Sequence, residues 1–245
     1  MLMQHFYPES RFGGFTQIDG TIAFYARVNA LLSPNSTVLD FGCGRGVYGE
    51  DPIPFRRDLR ILKGKARRVI GLDVIPAAAH NPFIDQFHLL DGPTWPLEDE
   101  QIDVLICDNV LEHLAEPDAF FREARRVLRP EGVVCIRTPN RWNYIALLAR
   151  LIPSQRHMQV LKLAKPALKE KDVFRTFYRC NSLMALRRAL AAHGFEHAVF
   201  GYEAEPSYLS FSKLAYALGV LHQKLAPGFL RSALFAFGRK KISLK

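Results

Sequence analysis

Val38-Leu39-Asp40-Phe41-Gly42-Cys43-Gly44-Arg45-Gly46 is the stretch on which the reading of this chain turns. The apolar run Thr37 to Phe41 predicts a buried strand with an acid near its end, and glycines follow at alternate positions. Glycine lets a backbone turn sharply and approach a ligand where a Cβ would clash. The residues around the bend discriminate among ligands. A dinucleotide loop requires a third glycine where Val47 stands, and a phosphate-binding P-loop requires a Gly-Lys-Ser/Thr ending that is absent. Asp40 would repel a pyrophosphate and suits a cationic ligand.

Outward from that bend, short apolar runs alternate with helical patterns, the sign of a parallel sheet. Further strands are predicted at Arg68 to Asp73, Phe87 to Leu90, Ile102 to Cys107, Gly132 to Thr138, Phe195 to Tyr202 and, last, Ala233 to Arg239. Helices are predicted at Phe24 to Leu32, Asp118 to Leu128 and Ser182 to His193, the last stopped by Gly194. The class is therefore α/β, a doubly wound sheet in a single domain over residues 1–245. Two stretches break the alternation, Arg141 to Arg179 and Ser207 to Pro227. Each follows a strand expected to run parallel to the others, so each emerges at the carboxyl edge, where doubly wound folds bind ligands. They are expected to be helical cap insertions, about 141–180 and 204–232, over a substrate.

Acidic residues recur just past the strands. Asp73 closes the second strand and can accept hydrogen bonds from both hydroxyls of a ribose. Its separation from the glycine loop exceeds the usual 20 or so residues, because Glu50 to Lys65 forms a local insertion. Asp91, after the third strand, can accept from an adenine amino group. Asp108-Asn109-Val110-Leu111-Glu112-His113-Leu114 follows the fourth strand, its start turned toward the cofactor and its end toward a substrate.

The series VLDFGCGRG, VIGLDV, LLDG, IDVLICDNVLEHL and RVLRPEGVVCIRTPN, within residues 36 to 140, resembles the class I S-adenosylmethionine-dependent methyltransferases. The likeness is greatest to the group that includes ubiquinone and menaquinone biosynthesis enzymes and many small-molecule methyltransferases. The resemblance implies a Rossmann-like seven-stranded sheet of order 3-2-1-4-5-7-6 with strand 7 antiparallel, and S-adenosyl-L-methionine as cofactor. It implies that Asp40, Gly42, Cys43 and Gly44 contact the methionine part and Asp73 the ribose, with Val74 beside it. Asp91 and Gly92 would meet the adenine, and Asp108 and Asn109 would line the pocket. The chain departs from the family in the long lead-in to strand two, in Glu131 where glycine is frequent, and in the two basic caps. The caps prevent transfer of any family substrate.

The sulfonium is already a good methyl donor, so the protein is left to align an acceptor atom and exclude water. A hydroxyl acceptor also needs a base, for which His113 is the candidate, with Glu112 to orient it or bind substrate. Tyr7, Tyr25, Tyr144, Tyr178 and His157 are weaker alternatives. Asn140, Trp142 and Tyr144 leave the fifth strand toward the cap and are candidate substrate contacts. Arg175 and Tyr178, in Arg175-Thr176-Phe177-Tyr178-Arg179, suit a carboxylate or phosphate with an apolar neighbour.

The formal charge of +9 is concentrated in the caps, and no acid follows Glu205. Such a field attracts phosphate-bearing partners. The expected partner is a small-molecule or lipid-like substrate, an anionic one suiting the charge, with peripheral membrane contact through the basic cap. RNA methylation is an alternative, against which stands the absence of an RNA-binding motif. A non-catalytic cofactor-binding scaffold and, more remotely, a dinucleotide oxidoreductase are the others. The four cysteines have no metal or redox spacing. They read as buried thiols in a cytoplasmic protein, at most peripheral at the inner membrane surface. The N-terminus has no pattern of a signal peptide.

Overall fold

The computed structural model describes residues 2–144 and 174–242. Its strands are β1 (Thr37–Phe41), β2 (Arg68–Asp73), β3 (Gln86–Leu89), β4 (Ile102–Asp108), β5 (Leu128–Pro139), β6 (Phe195–Tyr202) and β7 (Ala233–Lys240). The helices are α1 (Leu2–Phe6), α2 (Gly20–Ala30), α3 (Pro54–Arg60), α4 (Pro117–Val127), α5 (Leu183–Ala192) and α6 (Lys213–Leu225).

Successive side chains of a strand point to opposite faces, and β1 shows what that builds. Leu39 and Phe41 face a cluster with Leu72, Leu105, Phe120, Phe121, Leu186 and Leu190, under α4 and α5. Val38 faces the other cluster, with Phe24, Val28, Val69, Val104 and Phe235, under α2. Both faces are covered, which is why these strands are continuously apolar. The order is β3-β2-β1-β4-β5-β7-β6. The first five strands pair parallel, and β7 runs antiparallel between β5 and β6. The expected topology is the observed one.

Pro139, Ala233 and Tyr202 stand side by side across β5, β7 and β6. The chain that leaves β6 and returns through β7 therefore does so at the carboxyl edge. Between them lie a short turn at Ser207–Leu209, the helix α6 and a turn at Gly228–Leu230, so the second cap is helical as expected. Of the first cap, residues 145–173 lie outside the described residues. The part that is described, from Phe174, has no regular secondary structure and is not helical. It docks on the loop after β4, where the N–H groups of Phe177 and Tyr178 donate to the Glu112 carbonyl.

The Glu50 to Lys65 insertion contains α3, opened by Pro54, whose fixed φ suits a first helical turn. Arg56 clamps it, pairing with Asp51 at 2.6 Å and with Asp19 at 2.9 Å. Asp19 is itself the N-cap of α2, accepting from Thr21 and Ile22. Asn29 of α2 donates to the Leu59 carbonyl, so α3 lies locked along α2.

β5 begins earlier than predicted, at Leu128, with an irregular register across Arg129 to Gly132. Glu131 there has φ +65°, the left-handed conformation that glycine adopts freely and a side chain adopts at a cost of about 1–2 kcal/mol. Its contact with Arg239 is 3.8 Å long and exposed, worth little in return. Glu131→Gly is expected to raise the thermal midpoint by about 2 °C, the strain relief exceeding the added chain entropy. Calorimetry checks this, with Glu131→Ala, which keeps the strain, giving no gain.

Candidate functional site

Three carboxylates converge at the carboxyl ends of β1, β2 and β4, and each meets a different environment. Asp108 is buried. Arg137 of β5 grips it with two hydrogen bonds, Nε to Oδ1 at 2.6 Å and Nη2 to Oδ2 at 2.7 Å, and Tyr25 of α2 donates to it at 3.0 Å. Burial would push the Asp108 carboxyl up; Arg137, with Arg60 and Tyr25, outweighs it and holds the group below the usual carboxylate range. Asn109 donates its side-chain amide to Asp108 and adopts φ +55°.

Asp73 is buried and accepts the backbone N–H of Gly44 at 2.8 Å and of Ile75 at 2.9 Å. Each oxygen keeps a second lone pair free of these two bonds. The bond to Gly44 fixes the glycine loop against β2. Asn81 braces the loop from the other side, donating to the carbonyls of Cys43 and Gly44. Gly42 has φ +76°, and a Cβ on it would clash with the Val110 side chain. Gly44 has φ +55° and open space where its Cβ would be, so the hollow lies directly over it.

Asp40 differs from the other two. Among the described residues no donor bonds its carboxylate. Burial, with Asp108 and then Asp73 as neighbours, raises its pKa to about 7 against the pull of Arg60. An acid held in this way is stabilised by an arriving cation.

Arg60 is the residue that the sequence reading missed. It ends α3, stacks on the rings of Tyr48 at 4.7 Å and Tyr25 at 5.6 Å, and comes within 3.8 Å of Asp108. Its Nε is buried and has no hydrogen-bond partner among the described residues. The only signal in the sequence was the length of the insertion that carries it. Asn81 and Arg137 were also missed, since neither stands beside a glycine loop or a strand-end acid.

The remaining predicted residues fall as follows. Cys43 is buried beneath the loop, its thiol pKa pushed up by burial. Val74 is exposed next to Asp73, and Asp91 and Gly92 are exposed after β3. Glu112 is buried and accepts from the Thr138 hydroxyl at 2.8 Å; burial raises its pKa. Nδ1 of His113 lies 2.9 Å from the Arg175 carbonyl. A carbonyl only accepts, so Nδ1 carries the proton and Nε2, 3.8 Å from Glu112, holds the lone pair of the neutral ring. Trp142 is exposed beside Arg141, Tyr144 packs its ring edge-on against His222, and Arg175 lies over Phe177. Tyr178 is half-buried with φ +51°. Tyr7 is buried near α6, and His157 lies outside the described residues.

Asn140 is a correction. It is fully buried, and its side chain is spent on structure. Nδ2 donates to the carbonyls of Phe229 and Arg231, and Oδ1 accepts from Trp142 N–H. Both donor hydrogens are spent and the side chain has no exposed surface, so it does not present itself to a substrate. Asn140 instead ties the end of β5 to the foot of the second cap.

Sheet order and hollow together define the class I S-adenosylmethionine-dependent methyltransferases. Residues 15–198 match the family described as methyltransferase domain. The chain belongs to that family. It is 40% identical over 109 residues to a probable S-adenosylmethionine-dependent methyltransferase of Mycolicibacterium smegmatis, a match covering 42% of this chain and 38% of that protein. It is 26% identical over 178 residues to a ubiquinone biosynthesis O-methyltransferase of Histophilus somni, 65% of this chain and 71% of the relative. The chain thus spans under two fifths of the mycobacterial relative's length. The putative methyltransferase solved with the Haloferax volcanii Trm112 activator superposes with a TM-score of 0.58 at 16% identity, over 92% of this chain and 91% of that one. At that identity the likeness is one of fold. The open face of Gly44, the unpaired Asp40 and the free lone pairs of Asp73 fit the family's cofactor, a nucleoside carrying a sulfonium and an ammonium.

Removing the Asn140 side chain would open a gap at a fully buried position and leave two part-buried carbonyls without this donor. Asn140→Ala is expected to cost about 2–4 kcal/mol of folding stability, read as a lower denaturant midpoint, with cofactor affinity unchanged in the folded fraction.

Proposed function

We propose that the chain transfers a methyl group from S-adenosylmethionine to an oxygen atom of a small or lipid-like, anionic acceptor. The observation that carries the first half is Asp40, a carboxylate beside the glycine loop that no donor among the described residues bonds. S-adenosylmethionine supplies an electrophilic methyl carried on a sulfonium.

The residues divide the work. Asp40 faces the ammonium, and the backbone of Gly42, Cys43 and Gly44 lets the amino-acid end come close. Asp73 receives the ribose hydroxyls through its spare lone pairs. Val74 and Gly92 flank the adenine, and Asp91 accepts from its amino group. Asp108 and Asn109 form a wall that Arg137 has already neutralised. Arg60 takes the carboxylate of the methionine part, which answers its unpartnered Nε.

For the acceptor, His113 is the proton-accepting group: the Arg175 carbonyl fixes its tautomer, and the Glu112 carboxylate stands ready to stabilise the imidazolium. Trp142, Tyr144, Arg175 and Tyr178 are the residues proposed to meet the acceptor, the arginine suiting an anionic group. The O-methyltransferase relative supports oxygen as the atom methylated.

Labelled methyl supplied with cell extract, then separated into lipid, RNA, protein and small-molecule fractions, tests the reading. Label is expected in base-stable ethers of the lipid or small-molecule fraction, and His113→Ala is expected to lower the rate about a hundredfold or more. Label confined to RNA, or none in any fraction, would refute it. The role of Arg60 has its own readout by calorimetry. Arg60→Met is expected to weaken S-adenosylhomocysteine about tenfold or more and to leave methylthioadenosine, which lacks the amino-acid end, unaffected. Equal loss for both ligands would show that Arg60 only supports the fold.

A further inference from the structure

The helix α6 is apolar on two opposite sides. Its inner face carries Tyr216, Gly219 and Val220 and packs on Leu2, Met3 and Phe6 of α1, with the rings of Phe6 and Tyr216 5.3 Å apart. Leu214, Leu218, Leu221 and Leu225, at helical spacing of three and four residues, form one stripe on the outer face. They are 72%, 59%, 53% and 72% exposed, and two further exposed apolar side chains lie close in sequence before and after the helix, Phe211 at 73% and Phe229 at 57%. Scattered apolar residues on a surface require no explanation, but a contiguous stripe marks a binding face.

Lys213 and Lys224 are exposed at the two ends of this helix, about a quarter turn to one side of the stripe. Among residues 206–245 there is no acidic side chain to neutralise them. The acids nearest in sequence, Glu203 and Glu205, point inward: Glu203 accepts from Ser232 N–H and Glu205 from the Thr16 hydroxyl. An apolar stripe edged with lysines has the form of a helix lying in a lipid interface, with leucines and phenylalanines among the acyl chains and ammonium groups at the phosphates. A second copy of the chain is a poorer occupant. A two-fold interface through this face would set the same unneutralised lysines on both sides.

We propose that the outer face of α6, with Phe211 and Phe229, docks the protein on an anionic lipid surface. Asn140 binds the backbone at Phe229 to the end of β5, so the docked face is joined rigidly to the carboxyl edge and its hollow. The surface thereby holds the mouth of the site next to the bilayer. This inference stands on the exposed stripe and its charges and does not depend on the acceptor proposed above.

Flotation with vesicles of phosphatidylcholine alone, or of equal parts phosphatidylglycerol and phosphatidylcholine, tests it with the full chain. The protein is expected to float with the anionic vesicles at low salt and to bind the neutral ones far more weakly. The triple variant Leu214→Gln, Leu218→Gln, Leu221→Gln changes only exposed positions, and circular dichroism checks that it folds. It is expected to lose at least tenfold in vesicle affinity. Lys213→Gln with Lys224→Gln is expected to weaken anionic binding about tenfold and to flatten its salt dependence. The proposal is overturned if the wild-type protein stays with the aqueous phase at low salt, or if the folded leucine variant floats as well as wild type. It is also overturned if light scattering shows a dimer that the leucine variant splits while vesicle binding is unchanged, which would assign the stripe to a second copy.

Discussion

A buried carboxylate must find a cation, a set of donors or a proton, and three of them placed together cannot all be satisfied the same way. This chain gives each a different answer. Arg137 closes the question for Asp108 with a two-pronged ion pair across β4 and β5, the guanidinium also lying over Phe24 and Tyr25. Backbone amides answer it for Asp73 and in doing so fix the glycine loop. Asp40 alone is left wanting a charge. Without Arg137, Asp108 would stand as a second buried acid beside Asp40, and Arg60, 3.8 Å from Asp108, would be drawn to it and away from a ligand. The pair at β4 and β5 is thus the condition for the rest: it spends one acid on structure so that its neighbour can be spent on a ligand.

The same partition explains why the inserted helix matters. α3 is too short to persist alone. It is held by Arg56 through Asp51 and Asp19 and by Asn29 at the Leu59 carbonyl, so its placement depends on α2. What it delivers is Arg60, a second cation at the edge of the same hollow, kept off full neutralisation of Asp108 by a 3.8 Å separation and by stacking on two tyrosines. Charge at the site is therefore graded: a bare acid, an acid shared with amides, a sealed ion pair, and an arginine with an unsatisfied nitrogen.

The sheet is legible in the sequence because every strand but the edge strand β3 is apolar over most of its length and is punctuated by glycine or an acid. Even the antiparallel place of β7 followed once several motifs in order resembled a family. Three things were hidden, each for a physical reason. Glu131 occupies a left-handed conformation that residue type alone does not betray. Asn140 is polar and stands after a strand, as a substrate contact would, yet its partners are carbonyls some ninety positions away, and long-range pairing leaves no local trace. Arg60 sits in a stretch with two prolines and no clean period, where neither helix nor site announces itself. His113 is an intermediate case: its position past β4 is plain in the chain, while the carbonyl that sets its tautomer comes from a segment 62 residues further on.

Tyr202 and Ala233 are register partners on adjacent strands, so the whole excursion that carries α6 starts and finishes a single ladder rung apart. Closing a loop whose ends already meet costs only slightly more as the loop lengthens. Ancestral chains could therefore have exchanged short tails for long ones at this junction, or acquired foreign segments there, while the seven strands went on pairing as before. Tinkering of that sort separates the history of what a scaffold recognises from the history of how it folds. It also offers a practical junction for engineers, who can splice alternative lids between those two residues provided that the carbonyls gripped by Asn140 are kept.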